Sequence, residues 1–234
     1  MSSAFRDRER ADAASAARAA LSGRGSDVAA LLLGAEVTSD VGPQVAVRLT
    51  EVEAYEGRDD PASHAFRGRT ARNAVMFGPA GHLYVYFVYG MYFCANVVCG
   101  RPGEATAVLL RAGVVVEGAL VARARRPTAR REVDLARGPA GLTRSLGLTR
   151  DVNGVDLLDP ASPVRLTLPA QPVPPAGLER GPRVGVSTAR TAPLRFWIRD
   201  DPTVSKYRAA VRRPPSAGRK AARSTGRDGQ TDRP

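Results

Sequence analysis

The sequence predicts one α/β domain of the α+β type, with a curved, mostly antiparallel sheet, short surrounding helices and a protruding β-hairpin. Three observations predict it: a length of 234 residues, a hydrophobic fraction of 43%, and short runs of alternating apolar and polar residues separated by tight turns. A chain of this length makes one ordinary domain with a real core. Alternation with period 2 is typical of strands with one buried face, and short sequential strands favour antiparallel pairing.

The chain is strongly basic, with a net charge of +12 and a pI of about 10.8. Such a charge is typical of proteins that bind polyanions, although arginine-rich coding can produce part of it. The sequence has no apolar run of membrane-spanning length and no secretory signal, so we expect a cytoplasmic protein. Cys94 and Cys99 lack a CxxC spacing and a nearby histidine, so we expect two buried thiols rather than a zinc site. Nothing else in the sequence calls for a metal or an organic cofactor.

Three regions are predicted along the chain. Residues 1–24 form an Ala- and Arg-rich extension, in which Ala11–Leu21 have helical propensity but few large apolar anchors. Residues 25–207 form the folded domain. Residues 208–234 carry eight Lys or Arg against two Asp and almost no large apolar residue, which predicts a disordered basic tail.

Breaker residues and alternation predict the elements of the domain. Ser26 is a predicted N-cap for a helix over Asp27–Leu33, which Gly34 ends. The predicted strands are Ala35–Thr38, Gln44–Thr50, Leu83–Val88, Tyr92–Cys99, Ala105–Arg111, Val155–Leu158, Val164–Leu168, Arg183–Val186 and Leu194–Ile198. Further helices are predicted over Glu117–Arg125 and within Asp134–Leu148, and Pro169–Gly181 is a predicted surface connection.

Two carboxylates follow the strand predicted over Gln44–Thr50. Glu51 and Glu53 share one face because side chains alternate along a strand. If the apolar residues of that strand face the core, both carboxylates follow them inward or into a cleft at the strand's end. A carboxylate in such a place is either paired, as in a salt-bridged strand end, or functional.

Aromatic residues cluster between residues 55 and 93. Tyr84 and Tyr86 lie on one face of a predicted strand, and Tyr89 lies at the turn that Gly90 makes before the returning strand. An aromatic hairpin packed in a core is one interpretation, but the polar tip of tyrosine suits a half-wet surface. In a basic chain, tyrosines at such a turn are also typical of proteins that stack on bases or extrude them.

Residues 56–81 form a long irregular segment, which is usually either functional or disordered in a compact domain. Its arginines, at positions 58, 67, 69 and 72, suit phosphate contact or a plain solvated loop equally well. For His64, both a structural role and a functional role are compatible with the sequence. Arg111, at the predicted end of its strand, either caps that strand at the surface or reaches back to the Glu53 cleft.

A set of short motifs runs through the domain. They are Glu53-Ala54-Tyr55, His64, Arg72-Asn73, Met76-Phe77, Gly81–Tyr86, Tyr89–Asn96, Leu109–Arg111, Gly138–Leu142, Arg183–Val186 and Pro193–Phe196. Together they closely resemble the alkyladenine (3-methyladenine) DNA glycosylase family, the mammalian-type alkylpurine DNA glycosylases. The resemblance runs from about Ala29 to Lys206, and its most specific part is the block Tyr-Val-Tyr followed by Tyr-Gly-Met-Tyr-Phe.

The resemblance implies a monofunctional enzyme of base-excision repair. Such an enzyme flips a damaged purine out of duplex DNA and hydrolyses its N-glycosidic bond, leaving an abasic site. The implied substrate is 3-methyladenine, with 7-methylguanine, hypoxanthine and ethenoadenine as further candidates. The implied partner is double-stranded DNA, bound by a monomer with no membrane association in a bacterial-type cytoplasm at the nucleoid.

The resemblance also implies roles for the motif residues at the reacting bond. Glu53 would be the general base that activates a water molecule for attack on C1′. Arg111 and the Val184 carbonyl would hold that water. Neutral purines would need protonation of the ring as well, and the sequence does not identify a donor.

The remaining motif residues would bind the DNA. Tyr55 and Tyr86 would sandwich the flipped base with His64 beside it, and Asn96 would collide with the 2-amino group of guanine. The residues predicted to enter the minor groove are Tyr89 as the wedge, Met91 and Tyr92.

Two other function classes fit part of the pattern. A noncatalytic nucleic-acid-binding module can use the same tyrosines and basic surface, but the carboxylate of Glu53 would weaken its binding by repelling phosphates. A metal-dependent nuclease would need further ligands, and the acids Glu51, Asp59 and Asp60 lie in the wrong kind of segment.

Overall fold

A computed structural model describes residues 3–88 and 90–210 of the chain, with side chains from residue 8 onward. The predicted wedge Tyr89 and residues 211–234 of the predicted tail lie outside these described ranges. The helices are α1 (Ser3–Leu21), α2 (Gly25–Leu32), α3 (Ala119–Arg125) and α4 (Pro139–Leu146). The strands are β1 (Glu36–Ser39), β2 (Val45–Tyr55), β3 (Leu83–Val88), β4 (Tyr92–Cys99), β5 (Thr106–Glu117), β6 (Val164–Thr167), β7 (Leu178–Gly181) and β8 (Arg195–Ile198).

All eight strands of the described chain pair antiparallel in one open sheet, which confirms the predicted fold class. The strand order is β3-β4-β5-β2-β1-β6, and β8 joins β2 to β7. The long strand β2 is central. It pairs with β5 along one side, and with β1 and then β8 along the other.

The two faces of the sheet are covered differently. The main core lies on one face, where α2 packs on β2 and β5, and α4 packs on β4 and β5. A smaller cluster lies apart from it and includes residues from the segment between β2 and β3, such as Ala65 and Met76, packed with Tyr84. That segment is irregular as predicted, apart from the short 3-10 helices Gly57–Asp59 and Ala74–Phe77. It therefore covers the part of the sheet that the main core leaves free.

Two β-bulges between β2 and β5 overturn the predicted orientation of the carboxylates. Thr50 is an extra residue in β2, and Arg111 is an extra residue in β5 beside it. The core-facing residues of β2 are Val45, Val47 and Leu49 before the bulge, and Val52 and Ala54 after it. Glu51 and Glu53 share a face as predicted, but the prediction that they follow the earlier apolar residues is wrong, because one extra residue reverses the alternation.

The predicted hairpin is confirmed at its predicted bounds, as β3 and β4. Two other strands run further than predicted, since β2 continues to Tyr55 and β5 continues to Glu117. The carboxylates and Arg111 therefore lie in the middle of long strands, and the prediction that they lie at strand ends is wrong. Strand β5 pairs with β2 from Ala46 to Tyr55, and β8 pairs with Glu51–Glu53, so the chain remains extended where alternation alone indicates an end.

Three predicted assignments after α4 are wrong, and the first two concern Val155–Leu158 and Pro169–Gly181. Residues Val155–Leu158 lie in turns with one isolated bridge between His82 and Asp156, whose carboxylate binds the Arg18 guanidinium of α1 at 2.6 Å. Within the predicted connection Pro169–Gly181, the last four residues form β7, because the edge of β8 offers them backbone partners.

Arg183–Val186, predicted as a strand, is a bend in the structure. The Arg183 side chain turns inward to pair with Asp60, and the Val184 N–H donates to the Glu53 carboxylate instead of to a neighbouring strand. Gly185 has φ +72°, which a residue with a side chain rarely adopts. The contacts of Arg183 with Asp60 and of Val184 with Glu53 therefore hold this segment in a bent conformation.

The helices differ from prediction mainly at their beginnings. Helix α2 begins at Gly25, and its first N–H groups, those of Gly25 and Ser26, donate to the Glu56 carboxylate, so the predicted N-cap Ser26 is wrong. Helix α3 begins two residues later than predicted, after Gly118. Helix α1 is continuous and brings Leu21 into the core. None of the helices described is both long and apolar enough to cross a bilayer.

Candidate active site

The predicted site residues meet on the sheet face opposite the main core. One row of cross-strand partners runs over five strands, through Tyr84, Asn96, Leu109, Glu53 and Arg195. Partners in such a row point to the same face. The row therefore aligns the predicted general base with the strands that carry the predicted base-binding residues.

Glu53 is completely buried and is held from three directions. Its Oε1 accepts a hydrogen bond from the Val184 N–H at 2.7 Å and lies 3.2 Å from Arg111 Nη1. Its Oε2 accepts a hydrogen bond from the Tyr55 hydroxyl at 3.1 Å. Val184 thus reaches Glu53 through its N–H group, and the predicted role of its carbonyl stays a prediction.

Burial raises the pKa of Glu53 above its ordinary value. Arg111, the Val184 N–H and the Tyr55 hydroxyl oppose this by stabilising the charged form, whereas the neighbouring carboxylate Glu51 adds to it. The net direction is upward, which makes Glu53 a stronger base than an exposed glutamate. A raised carboxylate pKa is what general-base catalysis near neutral pH requires.

Glu51 is also fully buried but has a different environment. Both Arg111 and Arg195 donate from Nε to its Oε1 at 2.7 Å, and the Ser205 N–H donates to its Oε2 at 2.7 Å. Burial alone would raise the pKa of Glu51, but these donors outweigh it and the pKa is lowered. From the sequence, Glu51 is predicted only to be a strand-end acid or a weak candidate for a metal ligand. The structure makes it an anchor for Arg111.

A second buried ion pair, between Arg183 and Asp60, packs against the Tyr55 ring. Arg183 and Asp60 form a bidentate pair, with Arg183 Nη2 2.8 Å from Asp60 Oδ1. The Arg183 guanidinium carbon lies 4.6 Å from the centre of the Tyr55 ring, and its Nη1 donates to the Ala54 carbonyl at 3.0 Å. The pair fixes the ring of Tyr55 from this side. Burial and the Glu53 charge raise the pKa of its hydroxyl, which keeps that group a hydrogen-bond donor.

A cavity of about 70 Å³ lies in front of the tyrosines. Its lining residues are Tyr55, Ala62, His64, Met76, Tyr84, Tyr86, Asn96 and Ala107. The predicted base-binding residues Tyr55, His64, Tyr86 and Asn96 are thus brought together around one space. Tyr55 connects this space to Glu53, because its ring lines the cavity and its hydroxyl donates to the carboxylate.

The aromatic rings around the cavity hold one another in place. The Tyr84 and Tyr86 rings stack with centroids 5.4 Å apart, and the His64 ring meets Tyr86 edge-on at 4.4 Å. Asn73 fixes the loop that carries His64, since its side-chain amide donates to the His64 carbonyl at 2.8 Å. These contacts order the cavity walls.

His64 has a lowered pKa, because burial and the nearby Arg72 disfavour its charged form. Its Nδ1 lies 3.2 Å from the Tyr84 hydroxyl. At neutral pH the ring is therefore neutral, with one nitrogen engaged by Tyr84. A neutral ring beside the cavity suits a cationic ligand better than a charged one would.

Asn96 is buried and donates from Nδ2 to the Tyr84 carbonyl at 3.0 Å. This bond fixes the amide at the cavity wall, between Tyr84 and Leu109 in the row across the sheet. Met91 and Tyr92 lie apart, at the exposed end of the hairpin, with 62% and 37% of their surfaces exposed. The structure therefore assembles the predicted catalytic and base-binding groups at one place, and the predicted minor-groove residues Met91 and Tyr92 at another.

Several contributors escape sequence reasoning. They are Asp60, Tyr84, Cys94, Arg195 and Ser205. Cys94 lies opposite Tyr86 in the hairpin and is one cause, after burial, of the raised pKa of the Tyr86 hydroxyl. The only local signal for any of them is the strand alternation that places Tyr84 on the face of Tyr86. The others act through partners distant in sequence.

Two further features bear on what the site can bind. Within residues 3–88 and 90–210, no three His, Cys, Asp or Glu side chains lie close enough together to hold a metal ion. A larger cavity of about 570 Å³ lies between α1 and β6, but it brings together neither the buried carboxylates nor the tyrosines. The convergence of polar and aromatic groups favours the smaller cavity as the functional one.

Comparison with known proteins agrees with this arrangement. The sequence profile of the methylpurine-DNA glycosylase family matches residues 20–202. A protein of Nocardia farcinica is 56% identical over 197 residues, covering 82% of this chain and 91% of its own. A Streptomyces avermitilis protein is 54% identical over 186 residues (78% and 87%), and one of Mycobacterium tuberculosis is 48% identical over 188 residues (78% and 89%). All three are named provisionally as 3-methyladenine DNA glycosylases.

Proposed function

The chain belongs to the methylpurine-DNA glycosylase family, DNA repair enzymes that hydrolyse N-glycosyl bonds, and we propose that it does so on flipped alkylpurines with Glu53 as general base. The proposed substrate is 3-methyladenine, with 7-methylguanine, hypoxanthine and ethenoadenine as further candidates. The protein acts as a monomer on duplex DNA in a bacterial cytoplasm. The bacterial relatives are compatible with that setting.

One observation carries the proposal. A fully buried carboxylate with a raised pKa is joined through the Tyr55 hydroxyl to a cavity walled by aromatic rings. Such a group is costly to bury and has a function in most sites where its pKa is raised. A pure binding module gains nothing from it, since the carboxylate repels phosphates.

The proposed reaction needs few groups. Glu53 takes a proton from a water molecule, whose oxygen bonds to C1′ while the bond from C1′ to the base nitrogen breaks. The base leaves with the electron pair of that bond. A cationic alkylated purine becomes neutral on leaving and needs no further proton. Arg111 and Val184, which both contact the Glu53 carboxylate, hold the water beside it.

The base binds between Tyr55 and Tyr86, with His64 at its side. Electron-rich rings attract a cationic purine by roughly 1–2 kcal/mol through cation–π interaction. The neutral state of His64 avoids repelling that cation. Asn96, fixed at the cavity wall by the Tyr84 carbonyl, rejects guanine by collision with its 2-amino group. Normal guanine has only this clash, whereas cationic 7-methylguanine has the same amino group but also the cation–π attraction that offsets the clash.

The hairpin end meets the DNA. Met91 and Tyr92 are large apolar side chains exposed at that end, and Arg144 lies 5.9 Å over the Tyr92 ring. Exposed apolar residues beside a cation suit insertion into a minor groove flanked by phosphates. Tyr89, outside the described residues, remains the predicted wedge.

The direct test is base release by Glu53→Gln. Duplex oligonucleotides with a single 7-methylguanine or hypoxanthine are incubated with excess enzyme, and free base is measured. We expect the wild type to release at least one of these bases. We expect the variant to be slower by at least ~10²-fold, because an amide cannot accept the water's proton.

The matched control is Glu117→Gln, which changes an exposed carboxylate of β5 away from the site. It should retain the wild-type rate. Tight binding by the wild type without release of either base would support the noncatalytic binding module. Full activity of Glu53→Gln would leave the family membership intact and remove Glu53 as the general base.

A further inference from the structure

We propose that Glu51 is a positioning residue that holds Arg111 partly away from Glu53, so that Glu53 remains a strong base. This inference rests on the proposed function of Glu53. It assigns a role to a buried carboxylate that touches neither the cavity nor the reacting bond.

The first observation is how completely Glu51 is fixed. Its side chain is fully buried, and four donors reach its two oxygens. Besides the two Nε groups at 2.7 Å, both the N–H and the hydroxyl of Ser205 donate to it, at 2.7 and 2.9 Å. A carboxylate with this many charge-assisted bonds has one orientation only. Glu51 is therefore a rigid reference point for the groups that bind it.

The second observation is that the Arg111 guanidinium contacts both carboxylates. Its Nε lies 2.7 Å from Glu51, whereas its Nη1 lies 3.2 Å from Glu53. Its Nη2 donates to the Ser205 hydroxyl at 3.1 Å. Arginine binds a single carboxylate most strongly through two parallel bonds. Here the guanidinium is shared, and its shorter bond goes to Glu51.

The charged and titratable groups that face Glu53 come from every element around it. They are Glu51 and Tyr55 of β2, Arg111 of β5, Cys94 of β4, and Arg183 beside the Val184 N–H. Arg183 is already paired with Asp60, and Arg195 with Glu51. Arg111 is thus the nearest cation to Glu53, and Glu51 limits how far it can neutralise that carboxylate.

The consequence has a definite sign. Without the Glu51 charge, Glu53 loses a like-charged neighbour and Arg111 is free to bind Glu53 alone. Both changes stabilise the ionised form of Glu53 and lower its pKa. A carboxylate with a lower pKa accepts a proton from water less readily, although it stays ionised at more acidic pH.

The test is the pH profile of single-turnover release of 7-methylguanine, with wild type and Glu51→Gln compared. This cationic base leaves without being protonated, so the acid limb of the profile reports on the general base. We expect the limb in Glu51→Gln to move to lower pH by on the order of one unit, with a lower plateau. A lower plateau with an unmoved limb would overturn the proposal, because it indicates a merely structural role.

Two further variants keep the test decisive. Glu51→Gln/Arg195→Gln removes a buried anion together with its second cation, a change that the fold tolerates better than loss of one partner. It should show the same downward shift even if the single variant fails to fold. Ser205→Ala changes no charge, so we expect a lower plateau rate and an acid limb at the wild-type pH. A downward shift of the acid limb equal to that of Glu51→Gln would contradict the proposal.

Failure of the inference can be told apart from failure of the proposed function. If Glu53→Gln is inactive but the Glu51 variants keep the wild-type limb, only the role of Glu51 is lost. If Glu53→Gln is active, both ideas are lost together.

Discussion

At the scale of single residues, two glutamates two positions apart have opposite properties. Glu51 and Glu53 are equally buried, so desolvation acts on both. The pKa of Glu51 is lowered because two arginines and Ser205 surround it, whereas that of Glu53 is raised because it has only part of one arginine. Environment, not residue type, therefore separates the anchor of Arg111 from the proposed general base.

The Tyr55 hydroxyl should shift the pKa of Glu53 in the opposite direction from the Glu51 charge. It donates to the charged form of Glu53 and so lowers the pKa of that carboxylate. Tyr55→Phe keeps the aromatic ring that would stack on the purine and removes the hydroxyl that donates to Glu53. We expect the acid limb of the pH profile for 7-methylguanine release to move to higher pH, by about one unit.

The control for this variant is Tyr207→Phe, which removes an exposed hydroxyl from a tyrosine with 48% of its surface exposed. Its profile should match the wild type. An unmoved limb in Tyr55→Phe would mean that the hydroxyl does not bind the ionised carboxylate in solution.

At the scale of elements, the paired bulges of β2 and β5 create the site. The extra residue Thr50 turns both carboxylates away from the core, and the extra residue Arg111 lies beside them. Bulges re-aim side chains in this way next to active sites. Without them, the same sequence would place two acids against the apolar core, at a large cost in desolvation.

Gly113 allows the strands to approach at this point. It pairs with Leu49, next to the bulge, and a Cβ atom there would run into the Arg48 carbonyl oxygen and the Val47 side chain. We expect Gly113→Ala to lower the free energy of unfolding by about 1–3 kcal/mol, measured by urea denaturation. Base release should also slow, because the bulge positions Arg111.

Gly23→Ala is the matched control, since the nearest atom to its Cβ would be Val28 Cγ2 at an ordinary 3.8 Å. It should unfold at the wild-type urea concentration. Equal stability of the two variants would show that β2 and β5 can separate at Gly113 without cost.

At the scale of the whole molecule, the two faces of the sheet carry different parts of the protein, the apolar core and the candidate site. One face carries the apolar core under α2 and α4, and the other carries the buried ion pairs and the aromatic cavity. The tail predicted after residue 207 is rich in basic residues and has almost no large apolar ones. Residues 211–234 contain seven Lys or Arg and two Asp.

Removing residues 211–234 should weaken binding to undamaged duplex DNA and reduce its salt dependence. Cationic side chains release counterions from DNA, so losing them flattens the plot of log affinity against log salt concentration. The rate of base release at saturating enzyme should not change. Titrations of labelled duplex at several salt concentrations measure this.

A full-length chain with the seven basic residues of that segment changed to Gln is the control for length. It should behave like the truncated protein. If the truncated protein keeps the wild-type salt slope, the segment does not contact DNA.

The sequence by itself determined the local features. Alternation and Gly90 predicted the hairpin to the residue, and adjacency along β2 predicted that Glu51 and Glu53 share a face. The motifs singled out four residues, predicted to bind the base, that line one cavity in the structure. These features depend on near neighbours in the chain, whose geometry the residue types themselves constrain.

Only the tertiary structure decided which face the carboxylates take and what holds them. The bulges arise from the register between β2 and β5, which no single strand encodes. The partners of Glu51 and Glu53 include Ser205 and Val184, 154 and 131 residues away. Burial and paired charges set the pKa of each carboxylate, and both are properties of the assembled fold.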